Sequence, residues 1–306
     1  MVNPAAWRAT AQHLIGEYAI SERRSCRVLK MHRSTYRYRA QARNDESLRQ
    51  AIRALAERKH RWGCPLITDR LRLEGWKDNH KRIERIYQEE KLQVRKRSRK
   101  KHAGKERVPL PVPTGINQVW AMDFMSDTVG YHRKMRLLTV LDVYSRECLR
   151  IEVDTSLGGV RVARILEELR EQRGLPAGIM VDNGPEFSGR ALDAWAYARD
   201  VKLRFIEPGK PQQNAFIESF NNTLRNECLN ENCFVDLEDA RRLTEEFRME
   251  YNTERPHSSV GRIPPESYAM RAELPTAAAR PEPDGLRSRP AAAMDNSLNG
   301  KTNVLG

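Results

Sequence analysis

QVWAMDFMSDTV, residues 118–129, is the stretch that decides the fold of this chain of 306 residues. It is rich in β-branched, aromatic and other apolar residues, which predicts a strand. Two similar runs follow after short polar turns such as the one at Gly130 to Arg133: RKMRLLTVLDVYS (133–145) and ECLRIEVDT (147–155). Three strands joined by short turns predict an antiparallel meander.

Helices and strands alternate after the meander. SLGGVRVARILEELREQRG (156–174) predicts a helix that ends at Gly174 and carries its apolar side on Val162, Ile165, Leu166 and Leu169. GIMVDNG (178–184) and KLRFIEP (202–208) predict strands, whereas ALDAWAYARDV (191–201) and QQNAFIESFNNTLRNECL (212–229) predict helices. This order predicts an α/β domain with a mixed sheet covered by helices, the plan of the ribonuclease-H-like folds.

The region before this core has a helical pattern. Ser21 and Ser34 are predicted to cap two short helices at their N-termini. Gly75 is predicted to end a later helix, and Asn79 to cap the next one, HKRIERIYQEEKL. Ile83, Ile86 and Tyr87 form the predicted core face of that helix.

The chain is predicted to contain five segments. They are a small helix-turn-helix-like region (1–95), a basic and proline-rich linker (96–115), the ribonuclease-H-like core (116–235), a helical extension (236–272) and a disordered tail (273–306). The boundaries lie where the hydrophobic pattern lapses or changes its period.

An excess of positive charge indicates a polyanionic partner. The chain has 54 Lys and Arg against 41 Asp and Glu, a formal net charge of +13 and a pI near 9.7, which favours nucleic acid. We predict that basic helix faces in the first region contact DNA, and a solvated basic face is the alternative for each residue. The candidates are Arg33, Arg37, Lys81, Arg82 and Arg85.

Cysteine usage and hydropathy indicate a cytoplasmic protein. The five cysteines are odd in number and scattered, which argues against a disulfide framework, and they stand at no zinc-ligand spacing with histidines. No stretch approaches the roughly 20 apolar residues of a membrane span. The first residues also lack the apolar run of a secretory signal.

Three acidic residues fall where this order of elements would bring them together: Asp123 in the first strand, Asp182 at the end of the fourth and Glu218 on the late helix. Taken singly, each also fits a structural role at the surface or in a turn. Asp123, however, has apolar neighbours in WAMDF, and a buried carboxylate needs a partner of opposite charge. Two Mg²⁺ ions would supply it, with Mn²⁺ as a possible substitute.

The spacing of these acids and the sequence around them resemble a known family. Thirty-five residues lie between Asp182 and Glu218, within VDNGPEF and KPQQNAFIESFNNTLRNE. This is similar to the D, D-35-E signature of retroviral-integrase-like transposases. In particular, it resembles the OrfB-type transposase of a large bacterial insertion-sequence family that moves through an excised circular intermediate. WAMDF, LDVYSRE, YNTERPH and GWKDNHKRI extend the resemblance over about residues 21–268.

The resemblance implies an enzyme, a DNA transposase that cleaves insertion-sequence ends and joins the 3'-OH to DNA by metal-dependent phosphoryl transfer. It implies that Asp123, Asp182 and Glu218 are catalytic metal ligands. It also implies that Arg225, seven residues after Glu218 and so on the same helix face, contacts the DNA end, with a surface salt bridge as the alternative. Asn214 lies on this face too and is predicted to support DNA binding.

Partners follow from the same resemblance. Bringing two DNA ends together implies a homo-multimer on DNA, in a cytoplasmic and nucleoid-associated setting. In this family an upstream frame encodes a partner protein that frameshifting can fuse to the catalytic protein. Two other functions stay open: a DNA-binding regulator that occupies ends without cutting them, and a ribonuclease-H-type nuclease that hydrolyses without joining.

Overall fold

The computed structural model describes residues 4–39, 44–95, 113–184, 186–187, 189–207 and 214–273. The chain divides into two compact units, Met1–Lys105 and Glu106–Gly306, each with its own apolar core. Of the predicted linker (96–115) only 113–115 are described, and of the predicted tail (273–306) only Glu273. The five segment boundaries therefore stay predictions.

The first unit opens with α1 (Pro4–Tyr18), α2 (Glu22–Val28) and α3 (Arg33–Arg37). The predicted cap at Ser21 is confirmed, because its hydroxyl accepts the backbone N–H of Arg24 at 3.3 Å. The predicted cap at Ser34 is wrong. α3 begins at Arg33, so Ser34 lies inside the helix, and a ring nitrogen of His32 accepts the Ser34 N–H at 3.3 Å. The imidazole thus takes the part that a Ser or Asn oxygen usually plays.

A second group of helices in this unit, α4 (Glu46–Arg58), α5 (Cys64–Leu73) and α6 (His80–Glu89), packs around a shared apolar core. Asn79 caps α6 as predicted, and its side chain accepts the N–H of Lys81 at 2.9 Å. Gly75 follows the end of α5 with a φ of +93°, a conformation that favours glycine. The core side chains are Leu48, Ile52, Leu55, Trp62, Ile67, Leu71, Ile83, Ile86 and Tyr87.

The second unit contains a mixed sheet, and its five described strands have the order β3-β2-β1-β4-β5. β1 (Val119–Val129), β2 (Arg133–Asp142) and β3 (Cys148–Asp154) form the predicted antiparallel meander. β4 (Gly178–Val181) and β5 (Lys202–Phe205) extend the sheet as parallel strands on the other side of β1. This arrangement confirms the predicted ribonuclease-H-like plan and places β1 at its centre.

Helices cover both faces of the sheet. α7 (Gly159–Arg173) and α8 (Arg190–Ala198) pack on one face, where Trp120 and Met122 of β1 belong to their apolar cluster. α9 (Ala215–Leu224) and α10 (Leu237–Thr253) pack on the other face, together with Ala121 and Met125. Successive strand residues point to opposite faces, so the alternation in β1 serves both cores and turns Asp123 towards α9.

The chain after α9 completes the core on the α9 face. A π-helical turn (Arg225–Leu229) follows α9, and the rings of Phe247 and Tyr251 on α10 lie 6.3 and 4.9 Å from that of Phe220 on α9. A 3₁₀ turn (Ser258–Val260) and α11 (Pro265–Glu273) end the described chain. The predicted helical extension (236–272) thus contributes to the same core as the sheet, because α10 is amphipathic and buries its aromatic side.

None of the helices in the described part of the chain combines the length and the apolar composition of a membrane span.

Candidate active site

Asp123 stands in the middle of β1 with its carboxylate held by two hydrogen bonds. Its Oδ1 accepts the Phe124 backbone N–H at 2.8 Å, and its Oδ2 accepts the side-chain amide of Asn221 on α9 at 2.8 Å. Asn221 is held in turn, because the hydroxyl of Thr139, the residue opposite Asp123 on β2, donates to its Oδ1 at 2.9 Å. The orientation of Asp123 is therefore set by three elements.

The parallel pairing of β1 with β4 brings Asp182 towards Asp123. Trp120 pairs with Ile179 and Ala121 with Met180, so the same register continues to Asp123 and Asp182 just past the end of β4. The Oδ1 of Asp182 accepts the N–H of Gly184 at 3.0 Å. A Cβ on Gly184 would lie 2.9 Å from that oxygen, so any larger residue here would displace the Asp182 carboxylate.

Glu218 lies in the first turn of α9, three residues before Asn221 and thus about one helical turn away on the same side. Its side chain is exposed, whereas Asp123 and Asp182 are half-buried. The three predicted acids therefore come from a strand, a strand end and a helix. All three side chains are at least partly exposed to solvent.

The pKa of Asp123 is shifted by burial and by the charges of the other two acids. Burial of its carboxyl, and the negative charges of Asp182 and Glu218, raise the pKa of Asp123 to about 6, while the hydrogen bonds from Phe124 and Asn221 act in the opposite direction. A charged Asp123 is thus disfavoured mainly by burial and further by its like-charged neighbours. A cation among the three acids would offset the repulsion from those neighbours.

The residues present fit a hard divalent cation. The three acids offer carboxylate oxygens, the ligands that Mg²⁺ and Mn²⁺ prefer. Within the described residues, however, no group of three or more His, Cys, Asp or Glu side chains is already arranged to hold a metal ion. Mg²⁺ commonly completes its coordination with waters and substrate phosphates, so an open set of carboxylates suits it.

Other side chains hold the loop that follows Asp182 onto the sheet. Arg136 of β2 forms an ion pair with Glu186, and its guanidinium lies 4.5 Å from the ring centre of Phe124. The rings of Phe124 and Phe187 stack at 4.9 Å. These contacts connect the loop to β1 beside Asp123.

Two predicted DNA contacts lie on or beside α9. Arg225 starts the π-helical turn and donates to the Ser126 carbonyl at 2.8 Å and to Asp127 at 3.4 Å. Its salt bridge is therefore with β1 rather than with Glu218. Asn214 is buried at the start of α9, where its amide donates weakly to the Met122 carbonyl at 3.4 Å and its Oδ1 has no hydrogen-bond partner among the described residues.

Most of the basic candidates in the first unit are held in ion pairs. Arg33 and Arg37 both contact Glu22, and these contacts, Arg37 first, hold the pKa of that carboxyl below its usual value. Arg82 and Arg85 share Asp45, and Arg82 also contacts Asp78. Lys81 is exposed on α6 with no ion pair among the described residues. Contact of these five residues with DNA stays a prediction.

Sequence reasoning missed Asn221, which contacts Asp123 directly. The available signal was its position three residues after Glu218 on a predicted helix, which puts both side chains on one side. An asparagine at such a position is also common on exposed helix faces, so the spacing alone does not distinguish the two roles.

Three family models match the chain. Two are described as "Integrase core domain" and match residues 113–211 and 199–265, which together contain the sheet, α9 and α10. The third is described as "HTH-like domain" and matches residues 42–101, which contain α4 to α6. Arg33 and Arg37 lie before this match, whereas Lys81, Arg82 and Arg85 lie within it.

Proteins of bacterial insertion elements are similar to nearly the whole chain. A protein of insertion element IS407 from Burkholderia multivorans is 41% identical over 82% of this chain and 91% of its own length. One of IS476 from Xanthomonas euvesicatoria is 39% identical over 87% of this chain and 77% of its own length. The transposase InsF of IS3A from Escherichia coli is 27% identical over 79% and 92%.

Solved retroviral structures show weaker similarity. A simian T-cell lymphotropic virus intasome aligns with a TM-score of 0.48 and 14% identity, over 74% of this chain and 76% of that one. The catalytic core domain of HTLV-2 integrase, in complex with magnesium, aligns with a TM-score of 0.42 and 15% identity, over 51% and 98%.

Proposed function

This chain belongs to the integrase-core transposases of bacterial insertion sequences, and we propose that Asp123, Asp182 and Glu218 are its catalytic residues. The observation that supports this most strongly is the β1–β4 register, which aligns Asp123 with Asp182, while the Asn221–Asp123 hydrogen bond holds α9, the helix that carries Glu218, against β1. The negative charges of Asp182 and Glu218 disfavour the charged form of Asp123, and a cation among the three acids would offset that effect. Such a cluster suits phosphoryl transfer better than a structural role.

Mg²⁺ is the proposed metal, held as two ions by the three carboxylates, with Mn²⁺ as a possible substitute. The ions, when bound, would activate the attacking oxygen and stabilise charge on the departing one. Asn221 would keep the Asp123 carboxylate in one orientation, and Gly184 would allow the tight turn at Asp182.

The proposed reaction has two steps. Water first attacks the phosphodiester at the insertion-sequence end, which breaks one P–O bond and frees a 3'-OH. That hydroxyl then attacks a second phosphodiester in line, so that one P–O bond again replaces another. The protein mainly positions the strands, and no covalent intermediate with the protein is required.

DNA binding is assigned to both units. We propose that the HTH-like helices α4 to α6 bind insertion-sequence ends, with Lys81 among the contacts, and that Arg225 exchanges Asp127 for a DNA phosphate. A homo-multimer that joins two ends, and a partner protein or fusion from an upstream frame, complete the proposal. The proposed setting is the cytoplasm, on nucleoid DNA.

Strand joining by the purified chain tests this function. We expect labelled insertion-sequence ends to be nicked and joined to target DNA in Mg²⁺ or Mn²⁺, and EDTA to stop both reactions while end binding continues. Nicking without joining would favour a ribonuclease-H-type nuclease. End binding without either reaction, alone and with the upstream-frame product, would favour a regulator.

A further inference from the structure

The turn between β1 and β2 presents an aromatic ring to solvent. The hairpin tip, residues 130–134, carries Tyr131, whose side chain is 100% exposed. Its ring makes no aromatic or cation–π contact with the described residues. An aromatic side chain in this position contributes nothing to the apolar core, and exposed aromatic rings are a common means of binding other molecules.

Backbone hydrogen bonds hold the hairpin tip in position. The Gly130 N–H donates to the Phe234 carbonyl at 2.8 Å, and the His132 N–H donates to the Gly130 carbonyl at 2.8 Å. Gly130 has a φ of +54°, and a Cβ there would lie 3.1 Å from the Val235 carbonyl oxygen. The turn is thus pinned against the chain that follows the π-helical turn, and the ring of Tyr131 is held outward.

Exposed basic residues follow this ring along the hairpin. His132, Arg133 and Lys134 are exposed, and within the described residues neither Arg133 nor Lys134 has an ion-pair partner. By contrast, Arg225, the predicted DNA contact on the π-helical turn, forms an ion pair with Asp127. An exposed ring beside unpaired cations matches the chemistry of nucleic acid, which offers flat bases between phosphates.

The hairpin tip lies in line with the proposed catalytic residues. Three contacts between β1 and the chain from α9 onwards follow one another in the same direction: Asp123 with Asn221, Asp127 with Arg225, and Gly130 with Phe234. From Asp123 to Gly130 the strand advances roughly 24 Å, which is the length of about seven nucleotides of duplex DNA. DNA laid along β1 from the acids would therefore reach the tip.

We propose that the hairpin tip is a DNA-binding element of this transposase. Tyr131 inserts its ring beside a partly unstacked base of the duplex, about seven nucleotides from the cleaved phosphodiester, and Arg133 and Lys134 contact neighbouring phosphates. The proposal rests on the proposed function only in taking Asp123 as the point where DNA is cut.

Photo-crosslinking tests the position of this contact. Insertion-sequence ends that carry a single 5-iodouracil, moved one nucleotide at a time, are irradiated with the full chain. We expect a crosslink that peaks about seven nucleotides from the cleavage site, maps to Tyr131 and disappears in Tyr131→Ala. A crosslink pattern that is the same in the parent protein and in Tyr131→Ala would overturn the proposal.

Binding measurements test its contribution. Tyr131→Ala should weaken binding of the ends by about fivefold to a hundredfold, whereas Tyr131→Phe should bind like the parent because its ring still stacks. Arg133→Ala and Lys134→Ala should each reduce the salt dependence of binding by about one phosphate contact. Tyr197→Ala on α8 and Arg164→Ala on α7 are matched controls, since both side chains are exposed, Tyr197 by 91%, and neither belongs to the hairpin tip.

Three other outcomes have a definite meaning. Unchanged DNA binding by Tyr131→Ala, combined with a shift in sedimentation from multimer to monomer, would overturn the proposal in favour of a contact between copies of the chain. If the parent protein joins ends and Tyr131→Ala joins and binds them equally well, this proposal fails while the proposed function stands. If the parent crosslinks through Tyr131 but never joins ends, the proposed function fails while the DNA contact stands.

Discussion

Glu218→Gln is expected to abolish strand joining, with a fall of about a thousandfold or more, while binding of insertion-sequence ends persists. The substitution keeps the shape of the side chain but removes one of the three charges that would hold the metal. Metal stabilisation of the transition state is worth several kcal/mol, and each 1.4 kcal/mol or so corresponds to a tenfold rate change. Because Glu218 is exposed, the variant should fold as the parent does.

The matched control is Glu238→Gln. Glu238 is also exposed and also lies in the first turn of a helix, α10, so both variants lose the same small interaction with a helix N-terminus. We expect Glu238→Gln to join ends at the parental rate in a single-turnover assay. Parental joining by Glu218→Gln would show that this glutamate is not a catalytic residue.

Asn221→Ala is expected to slow joining by about tenfold to a hundredfold, the usual cost of losing a side chain that orients a metal ligand. The alanine removes the hydrogen bond at 2.8 Å to Asp123 Oδ2 and leaves the hydroxyl of Thr139 with the Asp123 backbone carbonyl, at 3.2 Å, as its acceptor. The carboxylate of Asp123 would then turn more freely. We therefore expect the dependence on Mg²⁺ concentration to move to higher concentrations, an effect that a purely structural role would not produce.

Asn222→Ala provides the comparison for this variant. Asn222 is the next residue of α9 but points to solvent. It should show parental joining and parental Mg²⁺ dependence. A thermal melt of each variant would show whether slower joining comes from unfolding of the protein or from a misoriented Asp123 carboxylate. If joining by Asn221→Ala and by Asn222→Ala depended on Mg²⁺ concentration in the same way, Asn221 would not be a positioning residue.

Much of the second unit could be predicted because its signals are local. The alternation of apolar residues in β1 and β2, and the short turns between strands, indicate the meander without any knowledge of tertiary structure. The positions of Asp123 within a strand, Asp182 at a strand end and Glu218 on a helix follow from the same pattern. A parallel β1–β4 pairing then places the first two acids next to each other on neighbouring strands.

Other features depend on contacts between distant parts of the chain, which no local pattern reveals. Asn221 donates a hydrogen bond to Asp123, which lies 98 residues away in the sequence, and Arg225 and Asp127 interact across the same sequence separation. Arg82 and Arg85 pair with Asp45 across 37 and 40 residues, so a helix face that looks free in the sequence is largely neutralised. The cap at His32 was missed for a chemical reason, since histidine is an uncommon substitute for serine at that position.

The central claim is that the three acids hold a divalent metal during strand joining, and a metal-rescue measurement tests it most directly. Asp182→Cys replaces a carboxylate by a thiolate, which hard Mg²⁺ binds poorly and softer Mn²⁺ tolerates better. We predict that this variant loses joining in Mg²⁺ and regains about tenfold or more in Mn²⁺, while Asp193→Cys, at an exposed position on α8, behaves like the parent in both metals. Joining by Asp182→Cys that responds to the two metals as the parent protein does would contradict the claim.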